Sequence, residues 1–182
     1  VLGKIESIKY VILAVAVLAT LTDLIFGKIY NWITLPTAMA GLLASGYFLG
    51  WGGVGQALLG FAAGMLFYGW LFGLKVMGGG DVKLLMALGT WAGPQYTAEV
   101  AVLGVLIGGV FAFVILLVTG RFVGFAVRLY HFLLTLIVKE LEMEMPQVDR
   151  TFTMPFGVPL SIAGVWVAFS SPFVHLSGLW LH

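Results

Sequence analysis

Residues 10–26 read YVILAVAVLATLTDLIF, an apolar run with one carboxylate close to its end, and that run decides the fold class. A spanning α-helix needs about 20 mostly apolar residues, with a range of roughly 17–25. The whole chain agrees with it. Of its 182 residues 61% are hydrophobic and 9% charged, whereas a soluble domain is about 45–50% apolar and about 25% charged. Further apolar runs cover Trp32–Leu49, Gln56–Leu74, Leu84–Gly93, Val100–Thr119 and Phe156–Leu181. The expectation is an all-α, polytopic membrane helical bundle of about six transmembrane helices, forming a single domain over residues 1–182. Pro36 is placed in the first turn of the second run, where proline costs little. The run Leu84–Gly93 spans only half a bilayer at about 1.5 Å per residue, unless the glycine turn before it sits within the membrane.

Residues 121–152 carry Arg128 and His131 amid apolar neighbours. A central arginine costs about 2.5–3.5 kcal/mol on insertion scales. This segment is therefore expected to be a cytoplasmic amphipathic helix lying at the interface, or an extension of the fifth run, rather than a span of its own. With six spans, Lys28, Lys75, Lys83, Arg121, Arg128, Lys139 and Arg150 fall on one side, and Lys4 and Lys9 on the other. The positive-inside rule makes the first side cytoplasmic and turns both termini outward, which places the chain in the cell inner (cytoplasmic) membrane. Cysteine is absent, which excludes disulfides, thiolate metal sites and a cysteine nucleophile. No metal site or cofactor is expected, and no basic stretch points to nucleic acid. The first run passes into Asp23 without a small-residue cleavage site and is read as mature structure.

Orientation gives the first functional clue. Asp23 ends the first span and Asp81 begins the fourth, so both reach the same cytoplasmic depth. Ionisable groups inside membranes are costly, and function is the default reason to keep them. Asp81 follows Gly78, Gly79 and Gly80, three residues that let another chain approach without a Cβ clash. They also set Asp81 at a helix N-terminus, where the dipole favours a carboxylate. Two carboxylates close together in a low-dielectric site share a proton and titrate as a pair, the working state of an aspartic protease. Lys28 and Lys83 read as positive-inside anchors, and Glu140, Glu142, Glu144 and Asp149 as a solvated acidic surface. The stretch Met154-Pro155-Phe156-Gly157-Val158-Pro159 opens the last run with first-turn hydrogen bonds missing. Its free backbone groups suit pairing with an unwound substrate strand. A proton-coupled transporter, or an assembly subunit without protease activity, is the alternative reading of the same acids.

The pattern Gly78-x-Gly80-Asp81-x-Lys83-Leu84 resembles the GxGD signature of membrane aspartic proteases. Asp23, followed by Lys28-Ile29-Tyr30-Asn31 and Ile33-Thr34-Leu35-Pro36, is similar to the first-aspartate region of type IV prepilin and preflagellin peptidases. Pro155-Phe156-Gly157-Val158-Pro159 is similar to that family's last-helix motif. The resemblance implies an intramembrane aspartic endopeptidase with Asp23 and Asp81 as the catalytic pair. Gly78, Gly79, Gly80, Lys83, Pro155, Phe156, Gly157 and Pro159 would bind substrate or support the site. Substrates would be prepilin-like or preflagellin-like proteins with a short basic leader and a hydrophobic helix, cut at the cytoplasmic membrane face. Larger members carry a cytoplasmic domain, often with four cysteines, between the first two helices and also methylate the new N-terminus. Here only Gly27–Asn31 fills that place, so a small, peptidase-only form is expected.

Overall fold

The computed structural model describes residues 2–74, 77–120 and 156–170, together with residues 122, 124 and 127. Helix α1 spans Leu2–Phe26, α2 Asn31–Gly73, α3 Gly79–Val118 and α4 Gly157–Ser170, and there is no strand among the described residues. Three stretches, Glu6–Phe26, Asn31–Gly73 and Gly79–Val118, are long and apolar enough to cross a membrane. The protein is an all-helical membrane protein. Residues 121 and 128–155, with the acidic group Glu140 to Asp149, lie outside the described residues. So do Lys75 and the end of the last apolar run beyond Ser170.

Large apolar side chains face outward along the helices, among them Leu43, Tyr47, Trp51 and Leu66. That pattern suits lipid, because lipid tails are as apolar as leucine and give these groups no reason to hide. The buried positions of α2 are instead mostly small or polar. Gly53, Ala57, Gly60, Gly64 and Tyr68 form the buried face of its second half, following the i, i+3, i+4 spacing that puts residues on one side of a helix.

Helices α2 and α3 are each broken once. Gly50 has φ 62° and Gly93 φ 81°, left-handed values that glycine alone adopts cheaply. Pro94 follows Gly93 and disfavours helical geometry in the residue before it. At both breaks the chain turns back on itself. A Cβ on Gly46 would lie 3.1 Å from Val54, and one on Gly89 would lie 2.6 Å from the Thr97 hydroxyl. Residues eight apart in a straight helix stand about 12 Å apart.

The chain divides into two compact units, Val1–Gly108 with Pro155–His182, and Gly109–Met154. In the smaller one, α3 ends on Gly120 at φ 65°, and the rings of Phe113 and Phe122 meet edge-on with centroids 5.8 Å apart. In the larger one, the part of α3 before Gly93 is the centre: Leu84, Leu85, Ala87 and Leu88 are completely buried. The first part of α2 packs on it through Trp91, whose indole N–H donates to the Thr37 carbonyl at 2.9 Å. The second part packs through Gly60 and Gly89, each lying against the other's carbonyl oxygen. Tyr96, beyond the break, donates its hydroxyl to the Gly164 carbonyl of α4 at 2.8 Å. Helix α4 in turn packs along α1.

Two sequence expectations shift locally. Pro36 lies in the second turn of α2 rather than its first, because the helix begins at Asn31. Its missing N–H removes the donor that would reach the Trp32 carbonyl. Gly79, Gly80 and Asp81 are already helical, so α3 starts five residues before the apolar run at Leu84.

The glycine contacts allow a direct check. Gly60→Ala should lower the melting temperature in detergent clearly, since its Cβ meets the Gly89 backbone. Gly55→Ala, facing open space, should be neutral or stabilise by about 0.5–1 kcal/mol.

Candidate active site

Asp23 lies in the last turn of α1. Its backbone carbonyl accepts the N–H of Gly27 at 2.8 Å, and Gly27, at φ 62°, closes the helix in the αL manner. The side chain is 7% exposed, and its Oδ2 accepts the N–H of Gly157 at 2.8 Å. Gly157 opens α4, where the first N–H groups have no partner within their own helix. The carboxylate of one helix thus caps another, and the dipole of α4 favours its charge.

Asp81 lies in the first turn of α3 and is also 7% exposed. Its N–H donates to the Gly78 carbonyl at 3.2 Å. Its carboxylate folds over Gly78, where a Cβ would come within 3.0 Å of Oδ2. Asp23 and Asp81, far apart in sequence, lie within electrostatic reach of each other.

The remaining residues expected here fall around these two. Gly79 leaves room for the ring of Phe72, and Gly80 for Ile29. Phe156 meets Tyr68 edge-on, centroids 6.1 Å apart, and its ring fills the space left open by Gly108. Pro159 is fully buried in the first turn of α4, where its missing N–H costs least. Lys83 points outward and donates to Asn31 Oδ1 at 2.9 Å; it makes no described ion pair. Pro155 lies outside the described residues.

Between α1 and α4 runs an apolar groove of about 620 Å³, lined by Val17, Thr20, Leu21, Ser161, Ile162 and Trp166 among others. Ser161 is one turn beyond Gly157 and Thr20 about one turn before Asp23, so the groove leads toward the capped carboxylate. The Ser161 hydroxyl is buried and has no hydrogen-bond partner among the described residues.

The model of the type IV leader peptidase family matches residues 10–113, a stretch that contains both aspartates and the glycine turn. The chain belongs to that family. Among curated proteins, the prepilin leader peptidase/N-methyltransferase of Xanthomonas campestris pv. campestris is 33% identical over 144 residues, covering 75% of this chain and 40% of that protein. The protein of the same description from Aeromonas salmonicida strain A449 is 32% identical over 161 residues, covering 85% of this chain and 45% of that protein. The chain thus spans less than half the length of these relatives. No solved structure matches it.

Within this leader peptidase fold, three residues hold positions that sequence reading left without a role. Ile29 belongs to the short link between α1 and α2, Asn31 opens α2, and Tyr68 lies within electrostatic reach of Asp81. Tyr68 was legible in one respect: it follows Gly60 and Gly64 on the same helical face, and it is the only member of that face with a polar tip. Its hydroxyl donates to the Ala101 carbonyl at 3.0 Å. Tyr68→Phe keeps the ring against Phe156 and loses that bond, so thermal denaturation in detergent should show a loss of about 1 kcal/mol.

Proposed function

We propose that this protein is an intramembrane aspartic endopeptidase that removes the short basic leader from prepilin-like or preflagellin-like substrates, with Asp23 and Asp81 as its catalytic pair. One observation carries the reading: two buried carboxylates, at the end of one apolar helix and the start of another, are brought to the same region of the fold, where Ile29 lies against both Gly80 and Gly157. Burying even one such group is costly, and the resemblance to membrane aspartic proteases suggests a reaction that uses two.

The chemistry needs only these side chains and water. One carboxylate takes a proton from a water molecule as its oxygen attacks the scissile carbonyl carbon. The other, protonated, gives its proton to the carbonyl oxygen, forming a tetrahedral gem-diol. Collapse breaks the C–N bond, a proton passes to the leaving amine, and the pair returns to its starting state. Asp23 is held for this by the Gly157 N–H and Asp81 by its place at the start of α3. Gly78, Gly79 and Gly80 would let a substrate strand come close, and Phe156, Gly157 and Pro159 would form the opposing wall. The groove between α1 and α4 would carry the substrate's hydrophobic helix toward Asp23.

The proposed topology has six spans in a single transmembrane peptidase domain. As straight rods α2 and α3 would be about twice the roughly 30 Å hydrocarbon core, and their breaks at Gly50 and Gly93 divide each into two spans. Lys28 and Lys83 flank the aspartates in sequence, which puts this end of the bundle at the cytoplasmic face by the positive-inside rule. The link from α1 to α2 is too short to hold a further domain, so methyl transfer is not part of the proposed activity.

Purified protein in detergent, given a prepilin-like substrate, tests this directly. Asp23→Asn and Asp81→Asn should each lower cleavage by roughly 10²–10⁴-fold or more while leaving the melting temperature close to wild type. Either variant cutting at the wild-type rate would end the aspartic reading. Gly157→Ala, whose Cβ would lie 2.7 Å from Asp23 Oδ2, should also lose most activity. Mass spectrometry of the mature product with S-adenosylmethionine present should show a free, unmethylated N-terminus.

A further inference from the structure

Ile29 stands between the start of α3, which carries Asp81, and the start of α4, which caps Asp23. It is 8% exposed, although it belongs to a short link that joins two membrane helices. On one side its Cβ lies 3.0 Å, and its backbone N and O 3.4 Å, from where a Cβ on Gly80 would be. On the other side its Cδ1 lies 2.9 Å from the corresponding point on Gly157. Gly80 precedes Asp81, and Gly157 is the donor to Asp23. One side chain therefore touches the α3 start and the α4 start at the residues next to each carboxylate. The link is fixed at both ends. Gly27 closes α1, and Asn31, the first residue of α2, accepts the hydrogen bond from Lys83, two residues beyond Asp81.

We propose that Ile29 is a wedge that sets the spacing of Asp23 and Asp81, and that the Lys83–Asn31 hydrogen bond is the latch that keeps it seated. This deepens the protease reading and rests on it. Ile29 and Asn31 are positioning residues; neither touches the reacting atoms. The wedge also accounts for glycine at 80, and at 157 Ile29 and Asp23 together occupy the space that a Cβ would need.

Two measurements test it, one of them independent of activity. The chain has no cysteine, so Asp23→Cys combined with Asp81→Cys gives a clean thiol pair whose oxidative cross-linking rate reports their spacing, a disulfide demanding close Cβ approach. In that background Ile29→Ala and Asn31→Ala should each change the rate at least about threefold. Ile29→Val, which keeps the Cβ facing Gly80 and loses the Cδ1 facing Gly157, should fall between Ala and wild type. Asn31→Asp, which still accepts from Lys83, should restore the rate. In the cleavage assay, with both aspartates intact, Ile29→Ala and Asn31→Ala should lower kcat about tenfold to a hundredfold, the scale set by an ångström of misplacement. KM should stay within about twofold, and Asn31→Asp should recover kcat. Unchanged cross-linking across the series overturns the wedge, whether or not the protein cleaves. Equal loss in Asn31→Ala and Asn31→Asp, in step with lowered melting temperature, overturns the latch. Failure of the wild-type protein to cleave, with cross-linking still sensitive to Ile29, counts against the protease reading alone.

Discussion

The hydrogen bond from the Gly157 N–H to Asp23 is the contact on which the geometry of the site depends. A carboxylate in an apolar bundle needs a donor, and the first N–H of a helix needs an acceptor. Each would be a liability alone, and together they join the end of α1 to the start of α4. Since α4 is also tied to α3 by Tyr96, the capped carboxylate is placed relative to Asp81 through packed helices rather than through flexible loops. Fixed placement is what a reaction needs when one group must give a proton as another takes one.

Much of this was legible in the sequence, for identifiable physical reasons. Apolar runs announce membrane helices because lipid leaves no alternative for the backbone, and three stretches carry that signal in the structure. The places of Asp23 at a helix end and Asp81 at a helix start followed from where those runs stop and begin. Gly60, Gly64, Gly104 and Gly108 read as close-packing residues, and each meets a neighbouring backbone or ring. The start of α3 was harder to read, because three glycines look like a loop when only propensity is weighed. Here they are held helical or nearly so by Phe72 and Ile29, contacts that the local sequence does not contain.

Ile29 was illegible for a similar reason. A single isoleucine between a lysine and a tyrosine carries no periodicity, and its importance comes from two residues, Gly80 and Gly157, that only the fold brings beside it. The site is thus an assembly of helix ends. Sequence shows the acids and the glycines, while the residue that spaces them is visible only in three dimensions.

The bare contact between Gly60 and Gly89 has a mechanical meaning. Where two helices touch through their backbones, no side chain can swing aside to let them slide, and carbonyl oxygens on each would have to climb over the other. The halves of α2 and α3 on either side of that contact therefore behave as one stiff block. Sliding is barred at that contact in a way it is not where side chains meet, as between α1 and α4.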